Sequence, residues 1–91
     1  MANLTEVVHF LGRVQGVGFR MSTKHFARGL GITGYVRNLP NGQVELVATA
    51  EAEAISRLIG RLKGLYGDNI SDVERQQKAE MEEFSGFDVR R

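Results

Sequence analysis

Cysteine is absent from this chain and proline occurs once, at Pro40. Without a thiol there is no disulfide, no thiolate nucleophile and no thiolate metal site. No apolar run approaches the ~18 residues that a membrane helix needs. The opening residues, Met1 to Glu6, carry an acid and no hydrophobic core segment, unlike a secretion signal. Neither charge dominates: 12 basic and 11 acidic side chains leave a formal charge of +1. That balance argues against nucleic acid as a partner, and no block of like charges reads as a tail or membrane patch. Repeats, low-complexity stretches and linkers are missing as well. These absences lead us to expect a soluble, cytoplasmic, monomeric protein folded as a single domain over residues 1–91.

What the chain does contain is glycine, 11 residues of it, and 42% hydrophobic side chains, enough for a core in 91 residues. The glycines concentrate in Gly12-Arg13-Val14-Gln15-Gly16-Val17-Gly18-Phe19-Arg20. An alternating apolar run, Val8-His9-Phe10-Leu11, precedes this stretch and a helical pattern follows it. A glycine-rich turn between a strand and a helix start lets several backbone N–H groups face one concavity, an anion cradle. It delivers Arg20 close to the positive end of the helix dipole, where a cation is unfavourable by ~0.3–1 kcal/mol and a bound anion would compensate. The Walker spacing from Gly12 puts Val17 where the second glycine belongs, and no lysine follows. The dinucleotide fingerprint would need a glycine at Met21. Spacing alone is equally compatible with a bare turn in which Gly16 and Gly18 supply positive φ and Arg20 is a solvated charge.

Periodicity organises the rest. Strand one is expected from Glu6 to Val14. Helix one places Phe19, Thr23, Phe26, Ala27 and Leu30 on one face, with Gly29 and Gly31 as stop signals. Strand two runs from Ile32 to Asn38, the turn Leu39-Pro40-Asn41-Gly42 follows, and strand three spans Gln43 to Thr49. Ile55, Leu58, Ile59 and Leu62 mark helix two, closed by Gly64. Ile70 to Lys78 forms a weaker strand, and Phe84 to Arg91 a short terminal one. Two strand–helix–strand crossovers joined by a hairpin predict an α+β, ferredoxin-like split βαβ sandwich (βαββαβ), with an antiparallel sheet and both helices on one face.

Asn38 stands out because Pro40, Asn41 and Gly42 already account for the turn. A strand-end amide bonded to local backbone is one reading. The other comes from topology: a crossover makes strands one and two parallel, so their C-terminal ends, the cradle and Asn38, reach the same edge of the sheet. Those two segments, Gly12 to Arg20 and Gly34-Tyr-Val-Arg-Asn38-Leu-Pro-Asn-Gly42-Gln-Val-Glu45, resemble the signature segments of the acylphosphatase family. The likeness extends in length and element order to Gly86-Phe87-Asp88-Val89-Arg90.

The resemblance implies metal-independent hydrolysis of the carboxyl–phosphate bond of small acyl phosphates, with no cofactor. It implies Arg20 as the phosphate-binding arginine and Asn38 as the amide that orients water. The backbone N–H groups of Gln15, Gly16, Val17, Gly18, Phe19 and Arg20 would complete the phosphate site. The chain departs from the family pattern at Met21, where an aromatic residue is common, at Ala50, where glycine often stands, and at Gly67-Asp68-Asn69, where Gly-Pro is usual.

Two other functions fit the pattern less well. A non-catalytic anion-binding or regulatory module would keep the cradle but has little use for a water-orienting amide. An RNA-recognition sheet would stack bases on strand aromatics, and strand three has none. His9 and His25 lack ligand partners at metal spacing and read as structural or surface residues. Glu51 and Glu53 suit a helix N-terminus, and Glu80, Glu82 and Glu83 a solvated loop. Arg13 and Arg37 read as solvated charges beside the signature segments.

Overall fold

Val8 and Phe10 are completely buried while the alternate residues Val7 and His9 are only half-buried, the period-two signature of a strand with one face on the core. The computed structural model describes residues 2–91. The chain runs β1 (Leu4–Gly12), α1 (Phe19–Gly29), β2 (Thr33–Asn38), β3 (Val44–Ala50), α2 (Ala52–Tyr66), β4 (Ile70–Gln77) and β5 (Phe87–Arg90). The five strands form one sheet in the order β4-β1-β3-β2-β5. Both helices pack on one face: Phe19 and Ala27 of α1 and Ile55, Leu58, Ile59 and Leu62 of α2 join Val8, Phe10, Val36, Val44, Leu46 and Phe87 in a single core. This is the ferredoxin-like α+β architecture that the element order predicts.

The sheet is mixed rather than purely antiparallel. β5 pairs in parallel with β2, Gly34 opposite Phe87 and Val36 opposite Val89. The connecting segment explains this direction. After β4 it crosses the open face of the sheet, where Glu82 N donates to Thr5 Oγ1 and Thr49 Oγ1 donates to the Glu82 carbonyl. It arrives at the start of β2, where Gly34 N donates to the Gly86 carbonyl, so the chain can only run alongside β2 in the same direction.

Two expected boundaries move for physical reasons. β1 starts at Leu4 and leaves the sheet at Gly12, not Val14. At Gly12 (φ +118°) an added Cβ would sit 2.2 Å from the Asn69 carbonyl oxygen, so the strand ends where two backbones nearly touch. Helix α2 passes through Gly64 and ends at Tyr66. Tyr66 holds that last turn in place by packing on the Phe19 ring, centroids 5.1 Å apart, and sharing a 2.7 Å hydrogen bond with Ser22 Oγ.

On the open face one row of the sheet carries charge. Glu45 of β3 stands opposite His9 of β1 and Arg37 of β2. His9 Nε2 and Arg37 Nε lie 2.9 and 2.8 Å from its carboxylate oxygens. Burial pushes the Glu45 carboxyl up, but the hydrogen bonds from His9 and Arg37 outweigh it and hold the group below its ordinary 4.5. A carboxyl depressed in the native state contributes stability above its unfolded value, and this is lost as pH falls through the native one. Urea midpoints should therefore drop as pH falls below about 4.5. Glu45→Gln should be less stable at neutral pH yet lose less of its stability across that acid range; parallel acid slopes for the two proteins would contradict this.

Candidate active site

The sheet register brings the two halves of the site together. Val44 of β3 lies opposite Phe10 on one side and Asn38 on the other. Asn38 thus sits two strand spacings, roughly 10 Å, from Phe10, two residues before β1 ends. It follows Gly34 and Val36 at alternate positions, the last core-facing position of β2.

From Gly12 the chain turns through the loop expected to form the cradle. Gly16 and Gly18 take φ of +77° and +81°, a left-handed conformation that opens the loop and starts α1. Gly18 is the N-cap, no side chain caps the helix, and no acid occupies its first turn. The first amides of α1 and the positive end of its dipole are left for another acceptor.

Three sets of contacts fix the loop. At its root, Arg13 N donates to the Asn69 carbonyl at 2.8 Å and Asn69 Nδ2 donates to the Arg13 carbonyl at 3.0 Å. Midway, Gln15 Nε2 donates to the carbonyls of Leu39 (2.8 Å) and Gln43 (2.9 Å), clasping the β2–β3 turn from both sides. At its end, the Phe19 ring is buried against Phe10, centroids 4.9 Å apart, and Thr23 Oγ1 bonds back to the Phe19 carbonyl.

A cavity of about 110 Å³ lies inside this frame, lined by Gly16, Gly18, Phe19, Arg20, Met21 and Asn38, with Val14 and Val89 behind them. Four residues of the expected phosphate site, Gly16, Gly18, Phe19 and Arg20, line it together with Asn38. Gln15 and Val17 lie in the loop but outside this lining, and the Gln15 side chain is committed to the turn. A larger groove of about 310 Å³ runs along the β4 edge past Lys63 and Asp72, and no signature residue borders it.

Arg20 reaches the cavity with one anchor: its Nη1 donates to the Arg90 carbonyl of β5 at 3.2 Å. No carboxylate neutralises it among the described residues. Asn38 Oδ1 is the one buried side-chain polar atom without a hydrogen-bond partner among the described residues. A buried, unpartnered carbonyl costs ~1–3 kcal/mol, and the residue that carries it lines the cavity. No three His, Cys, Asp or Glu side chains are grouped so as to hold a metal ion among the described residues.

Sequence reasoning missed Asn69, Tyr66 and the Arg90 carbonyl. Asn69 belongs to a turn whose composition departs from the family pattern, and that departure was the available signal. The Arg90 contact is made by a main-chain atom, which no side-chain pattern could flag.

A ferredoxin-like sandwich with a glycine-rich strand–helix loop and a small cavity at one end of its sheet defines a class of protein, and comparison with known proteins narrows it. The acylphosphatase family profile matches residues 6–89. An acylphosphatase of Archaeoglobus fulgidus is 39% identical over 84 residues, covering 90% of this chain and 92% of that one. One from Thiobacillus denitrificans is 45% identical over 80 residues, covering 87% and 88%. The solved acylphosphatase of Coxiella burnetii superposes with a TM-score of 0.84 at 35% identity, covering 98% of this chain and 94% of that one. The chain belongs to the acylphosphatase family.

Proposed function

We propose that this protein hydrolyses the carboxyl–phosphate bond of small acyl phosphates, with the Gly12–Arg20 loop holding the phosphoryl group and Asn38 directing the attacking water. The observation that carries the assignment of roles is Asn38, which lines the same small cavity as Arg20 and keeps a buried side-chain carbonyl without a partner. A carbonyl oxygen accepts a hydrogen bond from water and so aims the water's lone pair.

The reaction asks little covalent work of the protein. The water oxygen forms a bond to phosphorus as the bond from phosphorus to the acyl oxygen breaks. That electron pair leaves on the carboxylate, which needs no proton, and the water's proton ends on a phosphate oxygen. Catalysis is then positioning and charge stabilisation. The loop amides and the Arg20 guanidinium, a planar fork for two oxygens, meet the charge that spreads over the phosphoryl oxygens. The Arg90 carbonyl orients that fork from behind.

A purely binding module of the same fold is disfavoured by Asn38 itself. A bare acceptor beside an anion repels it, so a phosphate binder would gain by replacing the amide. We also infer a monomeric cytoplasmic enzyme acting as one domain over residues 1–91. The cysteine-free composition supports the cytoplasmic part of this, and sedimentation and cell fractionation test it.

Protein treated with a chelator should hydrolyse acetyl and benzoyl phosphate, and inorganic phosphate should inhibit competitively because the cradle binds the product. Activity that appears only on adding a metal ion, or phosphate that fails to compete, would overturn this reading.

A further inference from the structure

The phosphate cavity is small. At ~110 Å³ it is less than half the volume of either groove beside it. With the phosphoryl group in this cavity, a bulky acyl group extends over its rim. One wall of that rim is Met21, 60% exposed despite its apolar side chain. Met21 also forms one wall of a second groove, of about 260 Å³, completed by Lys24, His25 and Arg28. These residues fall at i, i+3, i+4 and i+7, so the groove runs along the outer stripe of α1 for ~10.5 Å from the rim of the phosphate cavity.

The groove has one sign of charge. Helix α1, Phe19 to Gly29, contains no Asp or Glu at all. Neither Lys24 nor Arg28 has an ion-pair partner among the described residues. The chain as a whole is nearly neutral, so this asymmetry is local to the helix that starts at the phosphate cavity. Arg20 already offsets the charge of the phosphoryl group, which leaves Lys24 and Arg28 for something else.

We propose that this groove is an acyl-side subsite and that the enzyme favours acyl phosphates whose acyl group carries a second anionic group. The inference rests on the acyl phosphatase reading above and deepens it. With the phosphoryl group in the cradle, the acyl chain crosses the Met21 side chain, whose flexible thioether adapts to varied shapes. A carboxylate about one helical turn (~5.4 Å) farther on meets Lys24 and Arg28. An uncharged acyl group of the same shape makes the Met21 contact and gains nothing from the two cations.

The test compares 4-carboxybenzoyl phosphate with 4-methylbenzoyl phosphate, rigid substrates of similar shape that differ in distal charge. The kcat/KM ratio of the pair, compared between enzyme variants, cancels their intrinsic reactivities. Lys24→Gln/Arg28→Gln should lower the ratio about fivefold relative to wild type at low salt, the scale of one or two exposed charge contacts. Lys24→Glu/Arg28→Glu should lower it further. High salt should erase the difference, since screening at 1 M acts within ~3 Å. Arg57→Gln/Lys63→Gln, which removes the same charge from α2, should keep the wild-type ratio. An unchanged ratio in Lys24→Gln/Arg28→Gln, with both substrates turned over and phosphate still competitive, overturns the subsite alone. If neither substrate is hydrolysed and phosphate does not compete, the acyl phosphatase reading falls and the subsite falls with it.

Discussion

Asn38→Ala is expected to lower kcat for acyl phosphate hydrolysis by at least ~10²-fold, the scale of losing one transition-state contact, while inorganic phosphate inhibits nearly as well as before. The split follows from the geometry. Asn38 lines the cavity beside Arg20 with its side-chain carbonyl unpartnered, whereas the proposed mechanism assigns the phosphoryl group to the loop and Arg20. The same substitution should leave the melting temperature unchanged or raise it. Oδ1 is buried without a partner, and deleting an unsatisfied acceptor removes a desolvation cost instead of a bond. Activity and stability should thus move in opposite directions, the mark of a residue kept for chemistry. A variant that loses stability in step with activity would mean that Asn38 holds the turn together instead. Asn38→Asp tests the same point with the shape preserved: a carboxylate beside the phosphoryl oxygens repels them, so phosphate inhibition should weaken as well.

Arg20→Ala is expected to act differently and more severely. The kcat/KM for acyl phosphates should fall by ~10³-fold or more, and inorganic phosphate should cease to compete at concentrations that inhibit the wild type. Arg20 is the cation in the lining of the cavity, so its loss removes ground-state binding together with the charge that stabilises the transition state. Arg20→Lys should recover only part of this. An ammonium offers a point charge without the planar fork and cannot hold the Arg90 carbonyl and two phosphate oxygens at once. Folding should be little affected, since the Arg20–Arg90 bond is solvent-exposed. Steady-state kinetics with phosphate inhibition, beside a thermal melt, separates these outcomes; phosphate competing equally well against Arg20→Ala would remove Arg20 from the binding site.

The parts of the fold that were legible in the sequence are those where periodicity and burial coincide. Val8 and Phe10 in β1, Val36 in β2, Val44 and Leu46 in β3, and Ile55, Leu58, Ile59 and Leu62 in α2 announce their elements because each buries a regular face. β4 gives a weaker signal, with only Ile70 and Val73 half-covered, yet its expected span, Ile70 to Lys78, overshoots the observed one by a single residue. The parallel pairing of β5 was not legible, because direction there depends on a loop crossing the sheet at Thr5 and Thr49 rather than on any pattern within Phe87–Arg90. The site divides in the same way. Glycine spacing and a redundant asparagine pointed to the cradle and to Asn38. The hydrogen bonds that fix the cradle run largely to main-chain carbonyls, those of Arg13, Leu39, Gln43 and Arg90. Every residue carries such a carbonyl, so composition gives no hint which ones will be used.

Under the proposed role of Asn38, the alignment of Phe10, Val44 and Asn38 in one row makes strand register part of the chemistry. A slip of β2 by one residue against β3 would turn every one of its side chains to the opposite face. Asn38 would then look onto the open side of the sheet, and Arg37 or Leu39 would point toward the cavity. Such a species could keep most of its backbone hydrogen bonds and its secondary structure while being chemically inert. Recovery of acyl phosphate turnover during refolding would therefore time the locking of the β2–β3 register, an event that circular dichroism does not see.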